Sequence, residues 1–163
     1  MSYLKRFSIE EFVETGTYDG DTLGYISRSG VRCTSIELSQ ELYEAARVRF
    51  RDAKNVNLVQ GDSGEKLQEI LKELDRPALF WLDGHYTSPQ TAMGVTSTPI
   101  VDELLGVLRH PVKNHVILID DARFFDGNHD YPKLDELLRS IREDGRYRVE
   151  VSTDIIRLVP RAQ

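Results

Sequence analysis

Residues 12–22 read FVETGTYDGDT, and this stretch decides the fold that we predict for the chain. It places two glycines, Gly16 and Gly20, in a short loop after an apolar pair, as in a turn between a strand and a helix. Such turns usually bind phosphate, because backbone N–H groups and the helix N-terminus both favour an anion. Here three acids surround the glycines, namely Glu14, Asp19 and Asp21. The loop therefore predicts a ligand with hydroxyl groups, an ammonium or another positive centre.

The composition indicates one domain whose partners are not strongly anionic. The chain has 163 residues, enough for a single well-packed domain over residues 1–163 and too few for two of ordinary size. Its formal net charge is -6, whereas nucleic acid and anionic membranes favour clustered Lys and Arg. There is no apolar run of roughly 18 residues and no signal peptide, and the single cysteine, Cys33, fits a reducing compartment. We therefore expect a soluble, cytoplasmic protein.

Short apolar runs alternate with segments of helical period along the chain. The predicted strands are EFVETG, VRCTSIEL, NVNLVQG, ALFWLDG, HVILIDD, YRVEVS and IIRLVP. This alternation is typical of an α/β fold in which helices cover both faces of a parallel sheet. Only Thr153 and Asp154 separate the last two strands, so these two must form an antiparallel hairpin.

The clearest helices follow the third and fifth strands. Apolar residues repeat at i, i+3, i+4 and i+7 in both of them: Leu67, Ile70, Leu71 and Leu74, then Leu134, Leu137, Leu138 and Ile141. Ser63 and Asp130 are the predicted N-caps of these helices. Two other predicted helix starts are Ser39 and Thr98, the latter followed by Pro99. His110 and His115 are expected at the surface or at a strand edge.

The glycine loop does not match the phosphate-binding fingerprints. The dinucleotide fingerprint requires a glycine where Tyr18 stands, and a Walker loop requires a lysine after Gly20. What remains is an acid with two glycines, Glu14, Gly16 and Gly20, which leaves the backbone approachable while its acids repel phosphate. A plain glycine turn is the alternative interpretation.

Polar residues also end the second and third predicted strands. Glu37 lies 21 residues after Gly16, where an acid can accept hydrogen bonds from both hydroxyls of a ribose. Asp62 could accept from the amino group of an adenine, while Ser63 could cap the next helix. As an alternative, Glu37 merely precedes a helix capped by Ser39. The two strand ends together predict a site for an adenosine-containing ligand.

The motifs ETGTYDG, SIEL, QGDS, WLDGHY and the closing hairpin occur in the order found in class I S-adenosylmethionine-dependent methyltransferases. The chain resembles this superfamily over nearly its whole length. The resemblance implies a Rossmann-like open sheet of seven strands, mostly parallel with an antiparallel last strand and helices on both faces. It places the Gly16 loop beside the methionine part of S-adenosylmethionine, Glu37 at the ribose, and Asp62 with Ser63 at the adenine. The full cofactor-binding set that it implies is Glu14, Gly16, Thr17, Tyr18, Gly20, Glu37, Leu38, Asp62, Ser63 and Asp83.

Carboxylates also end the fourth and fifth predicted strands, in LDGHY and LIDDAR. If these strands are neighbours, roughly 4.8 Å apart, Asp83, Asp120 and Asp121 emerge at one edge of the sheet. Carboxylates crowded there would repel one another unless a cation compensates, and an all-oxygen set suits Mg²⁺ or Mn²⁺. Turn residues and helix caps are the alternative interpretation.

This second pattern is similar to that of metal-dependent sugar O-methyltransferases of the macrocin O-methyltransferase type. By that resemblance Asp83, Asp120 and Asp121 are metal ligands, and His85 has the position of the general base. Asp83 and His85 are accordingly the predicted catalytic residues. The sequence departs from the pattern, because His85 replaces an acid and only about ten residues precede the first strand, where these relatives have extra helices. Closure of the site would then fall to residues 87–98 or to another subunit.

These observations predict metal-assisted methylation of a hydroxyl on a small molecule. The methyl group passes directly from the sulfonium to the acceptor oxygen, the metal lowers the pKa of the acceptor hydroxyl, and His85 takes the proton. We expect no nucleic-acid or membrane partner, and a homo-oligomer remains open. Two alternatives are a non-catalytic domain that binds a nucleotide or adenosylmethionine, and an NAD-dependent oxidoreductase, which the residues Tyr18, Asp19 and Asp21 disfavour.

Overall fold

The computed structural model describes residues 2–84, 98–128 and 130–161. The described residues form seven strands: β1 Glu11–Thr15, β2 Arg32–Glu37, β3 Val56–Gln60, β4 Ala78–Leu82, β5 Val116–Ile119, β6 Tyr147–Ser152 and β7 Ile155–Pro160. The helices are α1 Ser2–Phe7, α2 Asp21–Ser27, α3 Gln40–Arg49, α4 Ser63–Glu73, α5 Ile100–Arg109 and α6 Leu134–Asp144, with a 3₁₀ turn at Ala122–Phe124. None of these helices has the length and apolar character that crossing a membrane requires.

The strands form one sheet in the order β3-β2-β1-β4-β5-β7-β6. Each neighbouring pair from β3 to β5 is parallel, whereas β7 runs antiparallel to both β5 and β6. Thr153 and Asp154 connect β6 to β7, and both have left-handed φ values, 48° and 64°, as a tight hairpin turn requires. The predicted seven-stranded, mostly parallel sheet with an antiparallel last strand is confirmed.

Side chains alternate along each central strand, and so build a core on either face of the sheet. One face packs against α1 and α2 through a cluster that includes Phe12, Leu79, Val116, Leu23 and Ile26. The other face packs against α4, α5 and α6 through a cluster that includes Val13, Phe80, Ile117, Leu67, Leu104 and Ile141. Helices on both faces, as predicted, leave the ends of the strands as the open edges of the sheet.

The predicted start at Ser39 is confirmed, and the one at Thr98 is displaced by one residue. The Ser39 hydroxyl caps α3 by accepting from the Leu42 N–H at 3.4 Å. The Thr98 hydroxyl accepts from the Ile100 N–H at 3.3 Å, although Pro99 rather than Thr98 is the residue that precedes α5.

The other two predicted caps are wrong. Asp62, and not Ser63, is the N-cap of α4, because its extended backbone directs the carboxylate onto the Gly64 N–H at 2.8 Å. At α6 the residue before the helix is Lys133, which provides no side-chain cap, and Asp130 lies upstream with a left-handed φ of 65°. The sequence pattern located both helices but not the residue at which each begins.

His110 and His115 are buried, so of the two expected positions the surface is wrong, whereas His115 directly precedes β5. The Ala78 N–H donates to His115 Nδ1 at 3.1 Å, His115 Nε2 lies 3.0 Å from His110 Nδ1, and His110 Nε2 lies 2.8 Å from the Leu71 carbonyl. The Ala78 N–H can only donate, so His115 Nδ1 carries no proton, and the Leu71 carbonyl can only accept, so His110 Nε2 carries one. The single proton of each ring is then used between these two ends, and both imidazoles are neutral. These hydrogen bonds join the beginnings of β4 and β5 to the ends of α4 and α5.

Candidate functional site

The glycine loop leaves the carboxyl end of β1 in the middle of the sheet, between β2 and β4. The Gly16 N–H donates to the Ile36 carbonyl at 2.9 Å. Gly16 has a φ of +80°, and a Cβ on it would lie 2.5 Å from the carbonyl oxygen of Asp83. Only glycine allows this backbone to pack so closely against the end of β4. The loop therefore lies in the crevice where open α/β sheets bind ligands.

The end of the glycine loop that precedes α2 is held by residues at the end of α3, and not by the strand ends where a ligand is expected. Gly20 has a φ of +76° and precedes α2, and a Cβ on it would lie 2.7 Å from the Phe50 ring. Arg49 pairs with the exposed Asp21 carboxylate at 2.8 Å and also donates to the Asp19 carbonyl. Part of the acidity that suggested a positive ligand is therefore neutralised by Arg49.

Glu37 anchors the loop to the end of β2. Its buried carboxylate accepts from the Tyr18 N–H at 2.9 Å through Oε2 and from the Ser39 N–H at 2.8 Å through Oε1. Tyr18 has a φ of +47°, a conformation that aromatic residues rarely adopt, and the bond to Glu37 helps to hold it. A carboxylate can accept about four hydrogen bonds, so both oxygens of Glu37 retain capacity for further donors.

Glu14 supports the same loop from inside the protein. The Ser35 hydroxyl donates to Glu14 Oε2 at 2.5 Å and lies 2.7 Å from the hydroxyl of Thr17. Burial raises the pKa of Glu14 to about 8, the Ser35 hydrogen bond lowers it, and the charges of Asp83 and Glu37 raise it further. At pH 7 Glu14 is therefore mostly neutral, and it acts as a structural support rather than as a charge that repels phosphate.

A second buried carboxyl group, which the sequence analysis missed, belongs to Glu103 on α5. It is fully buried, and the Thr15 hydroxyl donates to its Oε2 at 3.2 Å. Burial raises its pKa to about 7, the hydroxyls of Ser63 and Thr15 lower it, and the charges of Asp62 and Asp83 raise it. The signal that could have revealed it is its register, because Glu103 falls in the apolar repeat of Ile100, Leu104 and Val107.

The residues predicted at the adenine lie at the carboxyl end of β3 and at the start of α4. Asp62 Oδ1 is engaged with the Gly64 N–H, and Ser63 is buried close to Gly84. Leu38, at the end of β2, is half-buried, and its carbonyl accepts from the Gln60 side chain at 3.1 Å. These residues share an edge with Glu37 as predicted, while a contact with an adenine stays a prediction.

The described residues give no support to the predicted metal site. β4 and β5 are neighbours as expected, and the Asp120 N–H donates to the Leu82 carbonyl at 3.1 Å. However, Asp121 has a left-handed φ of 56°, and its carboxylate pairs with Arg123 at 2.7 Å. The Asp121 N–H donates to Asp120 Oδ1 at 2.9 Å. No three His, Cys, Asp or Glu residues within 2–84, 98–128 and 130–161 are arranged to hold a metal ion. The sequence analysis did not anticipate that Arg123 would neutralise Asp121.

Tyr131 is another residue of this edge that the sequence analysis did not single out. Its ring lies 5.9 Å from the Phe124 ring and 5.1 Å from the Phe125 ring, measured between centroids. Burial raises the pKa of its phenol to about 12, a hydrogen bond with Thr98 lowers it, and the charges of Asp121, Asp83 and Glu103 raise it. The phenol is therefore a neutral hydrogen-bonding group near the end of β4. The predicted base, His85, lies outside the described residues.

Neither a protein-family model nor a curated protein sequence matches the chain. The Podospora anserina methyltransferase PaMTH1, solved with bound S-adenosylhomocysteine, aligns with 99% of this chain and 76% of its own, at a TM-score of 0.68 and 16% identity. A Staphylococcus aureus protein assigned as a caffeoyl-CoA O-methyltransferase aligns over 97% of this chain and 79% of its own, at a TM-score of 0.68 and 12% identity. A Clostridium thermocellum protein assigned as an rRNA methylase aligns over 98% of this chain and 94% of its own, at a TM-score of 0.66 and 15% identity. The chain therefore has the class I S-adenosylmethionine-dependent methyltransferase fold.

Proposed function

We propose that the protein is an S-adenosylmethionine-dependent methyltransferase. The observation that carries the proposal is the position of the Glu37 carboxylate, which is buried at the end of β2 and bonded to the glycine loop through the Tyr18 N–H. A carboxylate at this place in an open α/β sheet accepts hydrogen bonds from ribose hydroxyls. The fold likeness to a methyltransferase solved with S-adenosylhomocysteine supports this choice of cofactor.

The residues at this edge fit the cofactor by position and by chemistry. Gly16 lets the loop backbone pack against the Asp83 carbonyl, where a Cβ would lie 2.5 Å from its oxygen. Glu37 would hold the ribose, and Asp62 with Ser63 would border the adenine. The cofactor supplies a methyl group on a positively charged sulfur. The task of the chain is then to hold that methyl group in line with the acceptor, since positioning provides most of the gain in such a displacement.

The acceptor in this proposal is the hydroxyl of a small molecule, located on the β4 and β5 side of the edge. Tyr131 and Asp83 border that side, which supports a polar acceptor. The three carboxylates do not fit a metal as a set of Asp83, Asp120 and Asp121. The Asp121 carboxylate already pairs with Arg123, and the Asp120 carboxylate already accepts from the Asp121 N–H. We therefore assign no step to a metal. Mg²⁺ or Mn²⁺, and His85 as the base, remain predictions from the sequence.

Calorimetry on the purified chain tests the cofactor. We expect S-adenosylhomocysteine to bind and NAD not to bind, and Glu37→Gln to weaken binding by roughly 1 to 3 kcal/mol because hydrogen bonds to a charged group are lost. Glu44→Gln is the matched control, because Glu44 is an exposed acid on α3 whose contacts are with its helix neighbours, Arg47 at 3.1 Å and Gln40 at 3.1 Å. Tight binding of NAD with no response to S-adenosylhomocysteine would rule the proposal out.

The non-catalytic alternative predicts the same binding and therefore needs a different measurement. Transfer of a labelled methyl group from S-adenosylmethionine to a panel of hydroxylated small molecules separates the two. Methylation that disappears in Glu37→Gln and persists in Glu44→Gln supports the enzyme. Tight cofactor binding without transfer to any acceptor in the panel favours the binding domain.

A further inference from the structure

Glu103 is a fully buried carboxyl group near the hydroxyls of Thr15 and Ser63, and in the described part of the chain its Oε1 makes no hydrogen bond of good geometry. It lies on the core-facing side of α5, in register with Ile100, Leu104 and Val107, which are all buried. An apolar residue in this register would pack without the penalty of removing a carboxyl group from water. The presence of an acid here is therefore unexplained by packing.

The bonded oxygen of Glu103 leads directly to the end of β4. Glu103 Oε2 accepts from the Thr15 hydroxyl at 3.2 Å, and the same hydroxyl oxygen accepts from the Asp83 N–H at 3.2 Å. A hydroxyl has one proton to donate, so its bond to the carboxyl group directs a lone pair toward the Asp83 N–H. The Asp83 N–H is shared with the Thr15 carbonyl, which also accepts from it at 3.2 Å. Glu103 thus fixes the orientation of the Thr15 hydroxyl, which adds to the bond from the Thr15 carbonyl in holding the backbone of Asp83.

The other oxygen of Glu103 lies against the next residue of the same segment. A Cβ on Gly84 would lie 3.1 Å from Glu103 Oε1 and 3.0 Å from the Ser63 hydroxyl. On its other side this segment packs against the glycine loop, because a Cβ on Gly16 would lie 2.5 Å from the Asp83 carbonyl. The backbone of residues 83–84 is therefore enclosed between Glu103 and the loop.

We propose that Glu103 is a positioning residue of the cofactor site. Acting through the Thr15 hydroxyl, it sets the position of the Asp83 and Gly84 backbone, against which the Gly16 loop packs. Under the proposed function, the methionine part of S-adenosylmethionine binds beside this loop. The inference rests on the proposed function, because it assigns Glu103 to the same site.

A double-mutant cycle on affinity for S-adenosylhomocysteine tests whether Glu103 acts through Thr15. Thr15→Val and Glu103→Met keep the side-chain volumes while removing the hydrogen bond from either end. We expect each single variant to weaken binding by about tenfold. The double variant should bind as well as the single variant with the lower affinity, because both substitutions break the same Glu103–Thr15 hydrogen bond. Single effects that multiply in the double variant would overturn the proposal.

Two conservative variants and one distant variant separate positioning from general loss of structure. Thr15→Ser and Glu103→Gln keep a hydroxyl and a carbonyl acceptor, and we expect both to bind within about threefold of the wild type. They also carry the test if Glu103→Met does not fold. Ile141→Ala removes a buried side chain of α6 in the other half of the sheet, so it should lower the melting temperature and leave affinity unchanged. Equal weakening by Ile141→Ala and Glu103→Met would mean that Glu103 has only a structural role.

A measurement without cofactor distinguishes failure of this inference from failure of the proposed function. The amide signals of Asp83 and Gly84 in ¹H–¹⁵N spectra of the free protein should move in Thr15→Val and in Glu103→Met, and stay in place in Ile141→Ala. If wild-type protein does not bind S-adenosylhomocysteine, the proposed function fails whatever the spectra show. If it binds and the two amide signals are unmoved in Glu103→Met, the positioning role is wrong and the function stands.

Discussion

Gly16 and Gly30 have nearly the same backbone conformation, with φ values of +80° and +82°, in very different surroundings. A Cβ on Gly16 would lie 2.5 Å from the Asp83 carbonyl oxygen, whereas one on Gly30 would meet no atom within 4 Å. Alanine at either position carries the strain of a left-handed backbone. Only at Gly16 does a steric conflict with the end of β4 add to it.

We expect Gly16→Ala to lower the free energy of unfolding by about 2 kcal/mol more than Gly30→Ala, because the added methyl group must displace backbone atoms. Gly16→Ala should also abolish binding of S-adenosylhomocysteine, while Gly30→Ala binds normally. Urea unfolding and calorimetry on the two variants provide both readings. Equal destabilisation with binding intact in both variants would show that the approach of the loop to Asp83 is not tight.

The acids of the glycine loop show how far single residues can be interpreted from sequence. Glu14 and Glu37 lie on β1 and at the end of β2, as the strand pattern predicted, whereas Asp21 is the first residue of α2 and not part of the loop. Their charge states do not follow, because Glu14 is mostly neutral through burial and Asp21 pairs with Arg49, a residue of α3. Both effects depend on contacts between segments that are far apart in the chain, which a local pattern does not contain.

At the scale of elements, the hydrogen-bonded His110–His115 pair connects two strands to two helices. Burial lowers the pKa of His115 to about 4, protonation of the neighbouring His110 and the charges of Lys113 and Arg146 would lower it as well, and a backbone hydrogen bond with Val112 raises it. Protonation of His115 Nδ1 would also leave the Ala78 N–H without its acceptor. These hydrogen bonds therefore persist only while both imidazoles are neutral.

The free energy of unfolding should consequently fall as the pH decreases from about 6.5 to about 4, because the unfolded chain binds the proton that the folded chain refuses. His115→Gln removes this dependence, although the variant is less stable overall. Glu14 contributes the opposite slope above pH 4.5, since its pKa is raised in the folded protein. The test is therefore the difference between wild type and His115→Gln in urea unfolding across this range. A constant difference would contradict a buried neutral pair.

Strands were predicted more accurately than helix ends or buried polar residues. The predicted EFVETG and VRCTSIEL agree with β1 Glu11–Thr15 and β2 Arg32–Glu37 to within one residue at either end, because apolar runs between turn residues mark a buried strand locally. The helix α1 Ser2–Phe7 was not predicted, since six residues are too few to show a period. Glu103 was missed because it stands beside Asp102 in a pair of acids that is typical of an exposed first helical turn, and because its partners lie on β1 and α4.

For the whole molecule, the metal prediction is open to a direct test. If Asp83, Asp120 and Asp121 bind Mg²⁺, millimolar Mg²⁺ should raise the melting temperature, because a ligand of the folded state stabilises it by mass action. Asp120→Asn should reduce this response. Arg123→Ala should increase it, since it frees the Asp121 carboxylate from its ion pair. Melting curves that do not change with Mg²⁺ or Mn²⁺, with and without S-adenosylhomocysteine, would remove the metal from the proposed function.

The place of the site could be predicted from sequence, whereas its internal arrangement could not. Parallel strands end at the same edge, so the ends of β1, β2 and β4 had to meet once the strands were identified. The chemistry at that edge depends on helices as well, because Glu103 arrives from α5 and Tyr131 from the segment before α6. Neither residue belongs to a strand-end motif, and so neither was found.

The turn between β6 and β7 is an unsuitable place to insert a label. Thr153 and Asp154 both need left-handed backbones, the Asp154 carbonyl accepts from the Ala122 N–H at 2.8 Å, and its carboxylate pairs with Arg123. An insertion there would pull on the residues that follow β5, at the edge where ligands are expected. Gly30 lies at the opposite edge with open space around it. A peptide tag or a surface tether is better placed in the Gly30 loop, where an immobilised form of the protein would keep its carboxyl edge accessible.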